Sequence, residues 1–342
     1  MSNKERPILL ANDFHVAKDN IEEFRKNWEE MLLVCKEHDV KKVLIGGDLF
    51  DSPTVQSLSV MRTVMDVLAQ ADDANINVCI SPGNHDEPNR QSTDSWVDCL
   101  ESYADIIKVP HCTQLSDKLY IIQFPYYLED TELIKQLESV DELLQEKNID
   151  KENVILYLHA GVHGALGDFD VPNELPQKAL RGYRKVLCAH YHNRTHIKDT
   201  EIYYIGASRA HNFGEDEDKG YTLVYPDGAT RFVKNKVNIR YVTEYLKLKD
   251  LKSWKNDYDD LYKVRLVVSC KSSEVETVGK QALFDKGVSK VEFDTEKIQA
   301  IKVEQSNIND KFDSRNLKQE YQSFCKEKDL DMKMGVKYLE MI

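Results

Sequence analysis

Five short patterns fall in order along the chain: Asp13-Phe14-His15, Gly47-Asp48-Leu49-Phe50-Asp51, Gly83-Asn84-His85-Asp86, His159, and His190-Tyr191-His192. Together they hold seven side chains able to ligate a metal, namely Asp13, His15, Asp48, Asn84, His159, His190 and His192, with His85 as a further histidine. Carboxylate and imidazole donors in one set suit Mn, Fe or Zn better than Ca or Mg. Two divalent cations about 3.5–4 Å apart can clamp the attacking and leaving oxygens of an in-line displacement at phosphorus. Two divalent metal ions are therefore the expected cofactor, with Mn2+, Fe or Zn ahead of Mg.

Taken singly, most of these patterns are ordinary polar turns. Gly83-Asn84-His85-Asp86 after an apolar strand is the most specific of them. Asp13 and His15 lie two apart, so in extended backbone both would point to one side and serve one ion. Asp48 is the natural bridging carboxylate, because each oxygen can take one metal. Asn84 adds a neutral carbonyl oxygen. His38, His111 and His196 are read as structural, whereas His163 and His211 remain open.

The elements that must position these residues follow from hydrophobic patterning. Apolar runs at Ile8–Ala11, Lys42–Ile45, Asn77–Ile80, Val154–Leu158 and Lys185–Cys188 read as buried strands, and each precedes one of the five patterns. In open α/β sheets ligands bind outside the carboxyl ends of strands, so five polar clusters at five strand ends can converge on one cleft. Ile21, Phe24, Trp28, Met31, Leu32 and Cys35 recur at helical spacing. Ser52-Pro53 resembles an N-cap and first helical proline, predicting a helix from Thr54 to Asp73. Its Val55, Val60 and Val67 lie beyond the main apolar stripe and offer a surface for a homodimer. Short strands at 202–205, 221–224 and 230–233 close the domain, with Pro226-Asp227-Gly228 as a hairpin turn. A boundary is expected between Lys234 and Arg240. Beyond it a strand at 262–268, a helix around 273–286, strands near 289–295 and 298–304, and a helix holding Leu317, Tyr321 and Phe324 make a small α+β domain.

Hydrophobic residues make up 41% of the 342 and charged residues 31%, enough for a large core and a second, smaller domain. Seven cysteines, odd in number and without a Cys-x-x-Cys, read as free thiols in a reducing compartment. No apolar run reaches membrane-span length, so no membrane partner is expected. Met1–Pro7 leads into a strand without an apolar signal region, from which a cytoplasmic location is expected. The net charge is −13. From residue 236 onward the balance is +2, whereas the first 235 residues carry −15. Bound cations would offset part of that excess. The rest argues against broad non-specific DNA binding by this chain alone.

The ordered set closely resembles the calcineurin-like metallophosphoesterase superfamily over residues 8 to about 225. Within it the resemblance is to SbcD-type nuclease subunits of double-strand-break repair complexes, in bacterial or phage versions. Gly47–Asp51 followed by Ser52 and a helix, Tyr204-Ile205-Gly206-Ala207-Ser208, and the α+β extension carry that narrower match. The resemblance implies an α/β fold: a two-layered β-sandwich flanked by helices over 1–235, and an α+β capping domain with partner-binding helices over 236–342. It implies one metal on Asp13, His15, Asp48 and His192, and a second on Asp48, Asn84, His159 and His190, which together activate water. His85 would bind no metal and would stabilise or protonate the leaving oxygen, with Asp51 orienting its ring. Asp51 stands where archaeal and eukaryotic relatives carry histidine. Ala189 stands where the family usually has glycine, and it must find an allowed backbone angle there.

The implied function is a Mn-dependent DNA exonuclease and endonuclease subunit. It would act in DNA end processing, recombination and repair, in the cytoplasm of a bacterial or phage-infected cell. The implied partners are DNA, a coiled-coil ABC-type ATPase such as SbcC, and a second copy of the chain. The tail from Met332 to Ile342 is methionine-rich and suits docking on an irregular apolar surface such as that ATPase. A phosphatase or small-molecule phosphodiesterase would use the same ligands and is the alternative.

Overall fold

The structure is a computed structural model and describes residues 6–88, 94–167, 171 and 173–295. The first layer begins with β1 (Ile8–Ala11), α1 (Ile21–Glu37), β2 (Lys42–Gly46), α2 (Leu58–Asp73), β3 (Asn77–Ser81) and the short β4 (Asp105–Ile106). The second layer holds β5 (His111–Gln114), β6 (Tyr120–Gln123), α3 (Asp130–Glu146), β7 (Val154–His159), β8 (Lys185–Ala189), β9 (Thr195–His196) and β10 (Ile202–Tyr204). The chain then returns to the first layer through β11 (Gly220–Val224) and β12 (Thr230–Lys234). The result is two six-stranded sheets, ordered β12-β11-β1-β2-β3-β4 and β5-β6-β7-β8-β10-β9.

Both sheets are covered on both faces, which is why their central strands are continuous apolar runs. Leu9, Ala11, Val43 and Ile45 turn outward into a core with Phe24, Trp28 and Met31 of α1 and Val64 and Leu68 of α2. Leu10 and Leu44 turn inward to meet Ile155, Tyr157 and Leu187 between the sheets. Leu156 and Leu158 face the other way, against Leu133, Leu137 and Leu144 of α3. Strands β1 to β4 run parallel, as do β6, β7, β8 and β10. Their carboxyl ends therefore gather on one side of each sheet.

Two expectations are corrected. The second helix begins at Leu58, not Thr54: the Ser57 hydroxyl caps it by accepting from Val60 N–H at 3.3 Å. Residues 52–56 form a separate turn, held by the Gln56 amide on the Ser52 carbonyl at 2.5 Å and the Trp96 indole on the Pro53 carbonyl at 2.8 Å. Val60 and Val67 are buried in the core, and of the three valines only Val55 is exposed. The helix expected at 273–286 is instead a 3₁₀ turn at Ser272–Thr277 followed by the short α4 (Lys280–Phe284), with Gly279 between them.

The chain divides into a compact unit of Met1–Tyr241 with Asp259–Tyr262, and a second of Val242–Tyr258 and the chain from Lys263. In the second, β13 (Arg240–Lys247), β14 (Tyr262–Cys270) and β15 (Val288–Thr295) form a sheet in that order. Trp254, Val264, Leu266, Val268, Leu283 and Val288 fill its core. The strand expected at 298–304, the helix with Leu317, Tyr321 and Phe324, and the methionine-rich tail lie outside the described residues. No described helix is long and apolar enough to cross a membrane, and the six cysteines among the described residues are free thiols.

Leu156 is fully buried between β7 and α3. Leu156→Ala should therefore destabilise the protein by about 2–5 kcal/mol in urea unfolding. An effect below about 1 kcal/mol would contradict this packing.

Candidate metal centre

Three of the strand ends, those of β1, β2 and β8, deliver their residues through sharp backbone turns, whereas His159 is the last residue of β7 itself. Asp13, His15, Asp48 and His190 have φ of 51°, 45°, 52° and 86°, the left-handed region that non-glycine residues rarely enter. The sequence reading placed Asp13 and His15 on extended backbone, and the structure corrects this. Past β1 the chain coils alongside the β2 loop, with Asp13 N–H on Gly47 O at 3.0 Å, His15 N–H on Asp48 O at 3.0 Å and Val16 N–H on Leu49 O at 2.8 Å. The turn at 204–208 buttresses the same loop: Asn12 N–H donates to the Ser208 hydroxyl at 3.0 Å, and the Asn12 amide to Gly206 O at 3.0 Å. After β8 the positive φ falls on His190, so Ala189 keeps ordinary strand backbone.

Two glycines face one another beneath Asp48. A Cβ on Gly83 would overlap the Asp48 carboxylate and amide, and one on Gly47 would lie 2.8 Å from Gly83 Cα. Asp86 locks the two loops together. Its fully buried carboxylate accepts from Gly83 N–H at 2.8 Å, Phe50 N–H at 2.9 Å and Leu49 N–H at 3.3 Å. Burial, reinforced by the Asp48 charge, pushes Asp86 up to about 7.

All seven residues converge. Asp13, His15 and His192 form one group of donor atoms, and Asp48, His159 and His190 another. Asp48 Oδ2 lies between them, 3.5 Å from His15 Nε2 and 3.4 Å from His159 Nε2. Asn84 Oδ1 is 3.0 Å from both His159 Nε2 and His190 Nδ1. Across the first group His15 Nε2 and His192 Nε2 face each other at 3.2 Å.

The remaining ring nitrogens fix the tautomers. His159 Nδ1–H donates to Gly46 O at 2.7 Å, and His192 Nδ1–H to Glu215 Oε1 at 2.9 Å, so each Nε2 is aimed inward. Burial holds His15 well below the usual histidine range and His190 down at about 4, so both present lone pairs at neutral pH. For His159 burial is outweighed by the Asp48 and Asp13 carboxylates, which raise it to about 9. Burial also opposes the charge of Asp48, yet the His159 and His15 rings hold it well below the carboxylate range.

The donor set fits divalent cations on a further observation. Asp13 Oδ2 accepts from the Asn12 amide at 2.5 Å and from His190 N–H at 3.3 Å, whereas its fully buried Oδ1 has no hydrogen-bond partner. An unpaired buried carboxylate oxygen is costly unless a cation meets it.

Half-buried His85 lies within reach of His15 and Asp48, and its own N–H donates to Asp48 Oδ1 at 2.8 Å. Its ring is oriented by Asp51, but through the main chain: Nδ1 meets the Asp51 carbonyl at 2.6 Å. The Asp51 carboxylate lies instead 3.6 Å from His15 Nδ1. The β2 loop thus presents its peptide, not its carboxylate, to the His85 ring.

Glu215 was missed by sequence reasoning. It accepts from His192 and sits 3.3 Å from His211 Nδ1, so His192, His211 and Glu215 form a third donor cluster. Lys219 was missed too. Fully buried, it donates to His192 O, Asn193 Oδ1 and Asp216 Oδ1 at 2.9–3.0 Å, tying the two loops. The only sequence signal for either was an acid and a lysine near the open histidine His211. His163 is exposed and away from these clusters, and His196 pairs with the Thr200 carbonyl at 2.7 Å.

The family model for calcineurin-like phosphoesterases matches residues 6–194. A putative phosphoesterase, 078R, of Invertebrate iridescent virus 3 is 23% identical over 212 residues, covering 61% of this chain and 59% of the viral protein. The DNA double-strand break repair protein Mre11 of Methanocaldococcus jannaschii is 26% identical over 230 residues, covering 63% of this chain and 61% of that protein. The matches thus span less than two thirds of the length of both relatives. Among solved structures, a dimetal phosphatase from Danio rerio has a TM-score of 0.45 at 12% identity, over 64% of this chain and 92% of that one. Pseudomonas putida nuclease MPE has a TM-score of 0.31 at 13% identity, over 64% and 84%.

If Glu215 fixes the His192 ring, Glu215→Ala should weaken Mn2+ binding about 10–100-fold in calorimetric titration. Gly83→Ala, which drives a methyl into Asp48, should weaken it further. Wild-type affinity in both variants would refute this arrangement.

Proposed function

The chain belongs to the calcineurin-like phosphoesterase family, a family of metal-dependent phosphoester hydrolases, and we propose that it is a two-metal nuclease cutting the phosphodiester bonds of DNA. The observation that carries the two-metal part of the reading is Asp48, one buried carboxylate shared by two groups of histidine and oxygen donors with His85 beside it. Asp13, His15, Asp48 and His192 would hold one divalent cation, and Asp48, Asn84, His159 and His190 the other, Mn2+ being the proposed metal. Bound there, the cations would supply Lewis acidity at phosphorus and a lowered pKa for water.

The side chains supply the rest. With Nδ1 fixed on the Asp51 carbonyl, His85 has Nε2 to hold or give a proton at the leaving oxygen. His159 and His192, tethered through Nδ1 to Gly46 O and Glu215, keep their positions while charge redistributes. The orphaned Asp13 oxygen adds negative charge beside His159, at 4.0 Å.

DNA as substrate is supported by the relation to a double-strand break repair protein. The acidic balance of the first 235 residues supports a subunit that borrows its grip on DNA. The proposed partners are an SbcC-like coiled-coil ABC-type ATPase and a second copy of the chain, acting in end processing, recombination and repair in the bacterial or phage-infected cytoplasm.

With Mn2+, the purified protein should degrade end-labelled duplex DNA, and His85→Ala should lower the rate about 10²–10⁴-fold. Turnover of p-nitrophenyl phosphate esters without DNA cleavage, even with the cognate ATPase present, would replace this reading with a phosphatase.

A further inference from the structure

A cavity of 190 Å³ opens beside the His190 ring, with Tyr126, Tyr127, Leu133, Glu174 and Tyr191 among its walls. One water needs about 10–15 Å³ in this measure, so the space suits a larger group. Two of its aromatic walls are registered to the donor histidines. The Tyr126 ring meets His159 edge-on, with centroids 6.0 Å apart at 88°. The Tyr191 ring leans on His190 at 4.9 Å and on Tyr204 at 5.1 Å. Whatever fills the cavity is therefore set at a fixed place relative to a phosphate reacting at Asp48, His159 and His190.

The polar lining decides what that group is. Glu174 is 3% exposed and accepts from the Tyr191 hydroxyl at 2.5 Å, and Asp130 adds a second carboxylate. No lysine or arginine is among the described lining residues. A second phosphate would meet like charge there and no cation. A nucleobase offers a π-face to tyrosine rings and N–H donors to carboxylates, and base–aromatic stacking is a general source of single-strand grip.

We infer that this cavity is the subsite for the base of the nucleotide whose phosphate reacts, an inference that rests on the nuclease reading. Tyr126 and Tyr127 are its stacking walls, and Glu174 is its acceptor for a base N–H.

The test compares kcat/KM on thymidine 5′-(p-nitrophenyl phosphate) and on methyl p-nitrophenyl phosphate. The two diesters share a leaving group and differ in the nucleoside, sugar and base together, that replaces methyl, so the base is read from the loss in the Tyr126 and Tyr127 variants. It uses the Mn2+-loaded full chain, with duplex DNA degradation scored in parallel. The wild-type protein should prefer the nucleoside ester. Tyr126→Leu and Tyr127→Leu should each cut that preference about tenfold, and Tyr126→Phe should retain it. Absence of a wild-type preference, or equal losses on both esters in the leucine variants, would overturn the subsite. If DNA is degraded while the ratio stays unmoved, the subsite alone is wrong. If the methyl ester turns over while DNA and the nucleoside ester stay intact, the nuclease reading fails and takes the subsite with it.

Discussion

A single buried carboxylate organises the centre. Asp48 is 2% exposed and sits within 3.5 Å of two imidazole rings from opposite sheets, His15 after β1 and His159 at the end of β7. An ionised carboxylate away from water is costly unless charge or hydrogen bonds meet it. Here the His159 ring and the His85 amide supply that compensation. The two sheets must therefore end at one level, and the loop carrying Gly83 must approach without a side chain, because a Cβ there would occupy the space of the carboxylate. The ends of β1, β3 and β7 meet at the β2 loop because each brings a group that answers this charge.

The same constraint accounts for the backbone. Asp13, His15, Asp48 and His190 all adopt positive φ, and each such residue costs of order 1–3 kcal/mol. Extended backbone would carry the chain past the cleft. The left-handed turns fold it back over the sheet edge, and the bonds from Asp13, His15 and Val16 to the β2 loop hold it there. Strain concentrated on the ligating residues themselves is offset by two sheets whose strands are buried on both faces.

Much of this was legible in the sequence. The strands before each motif are apolar runs because helices or the opposite sheet cover both faces, so their positions followed from hydrophobic patterning. The seven donors were legible because each follows such a run. What escaped the reading acts through turns and long-range contact. The start of α2 was misplaced because Ser52-Pro53 and Ser57 are both plausible caps, and only the Trp96 and Gln56 bonds to the 52–53 carbonyls distinguish them. Helix α3 was passed over although Leu133, Leu137, Val140 and Leu144 carry a helical period, because none of the metal donors lies on it. Glu215 and Lys219 were invisible because their meaning depends on a loop returning to His192 from 23 and 27 residues away.

His85 and His159 are each anchored by a peptide carbonyl, of Asp51 and Gly46 respectively. A carbonyl belongs to the backbone and survives any change of side chain that leaves the backbone path intact. Position 51 can thus drift between acidic and imidazole side chains while the neighbouring ring keeps its tether. The centre separates what holds its rings, which is encoded by loop shape, from what decorates its rim, which is encoded by residue identity. Selection can therefore retune the rim without dismantling the anchors.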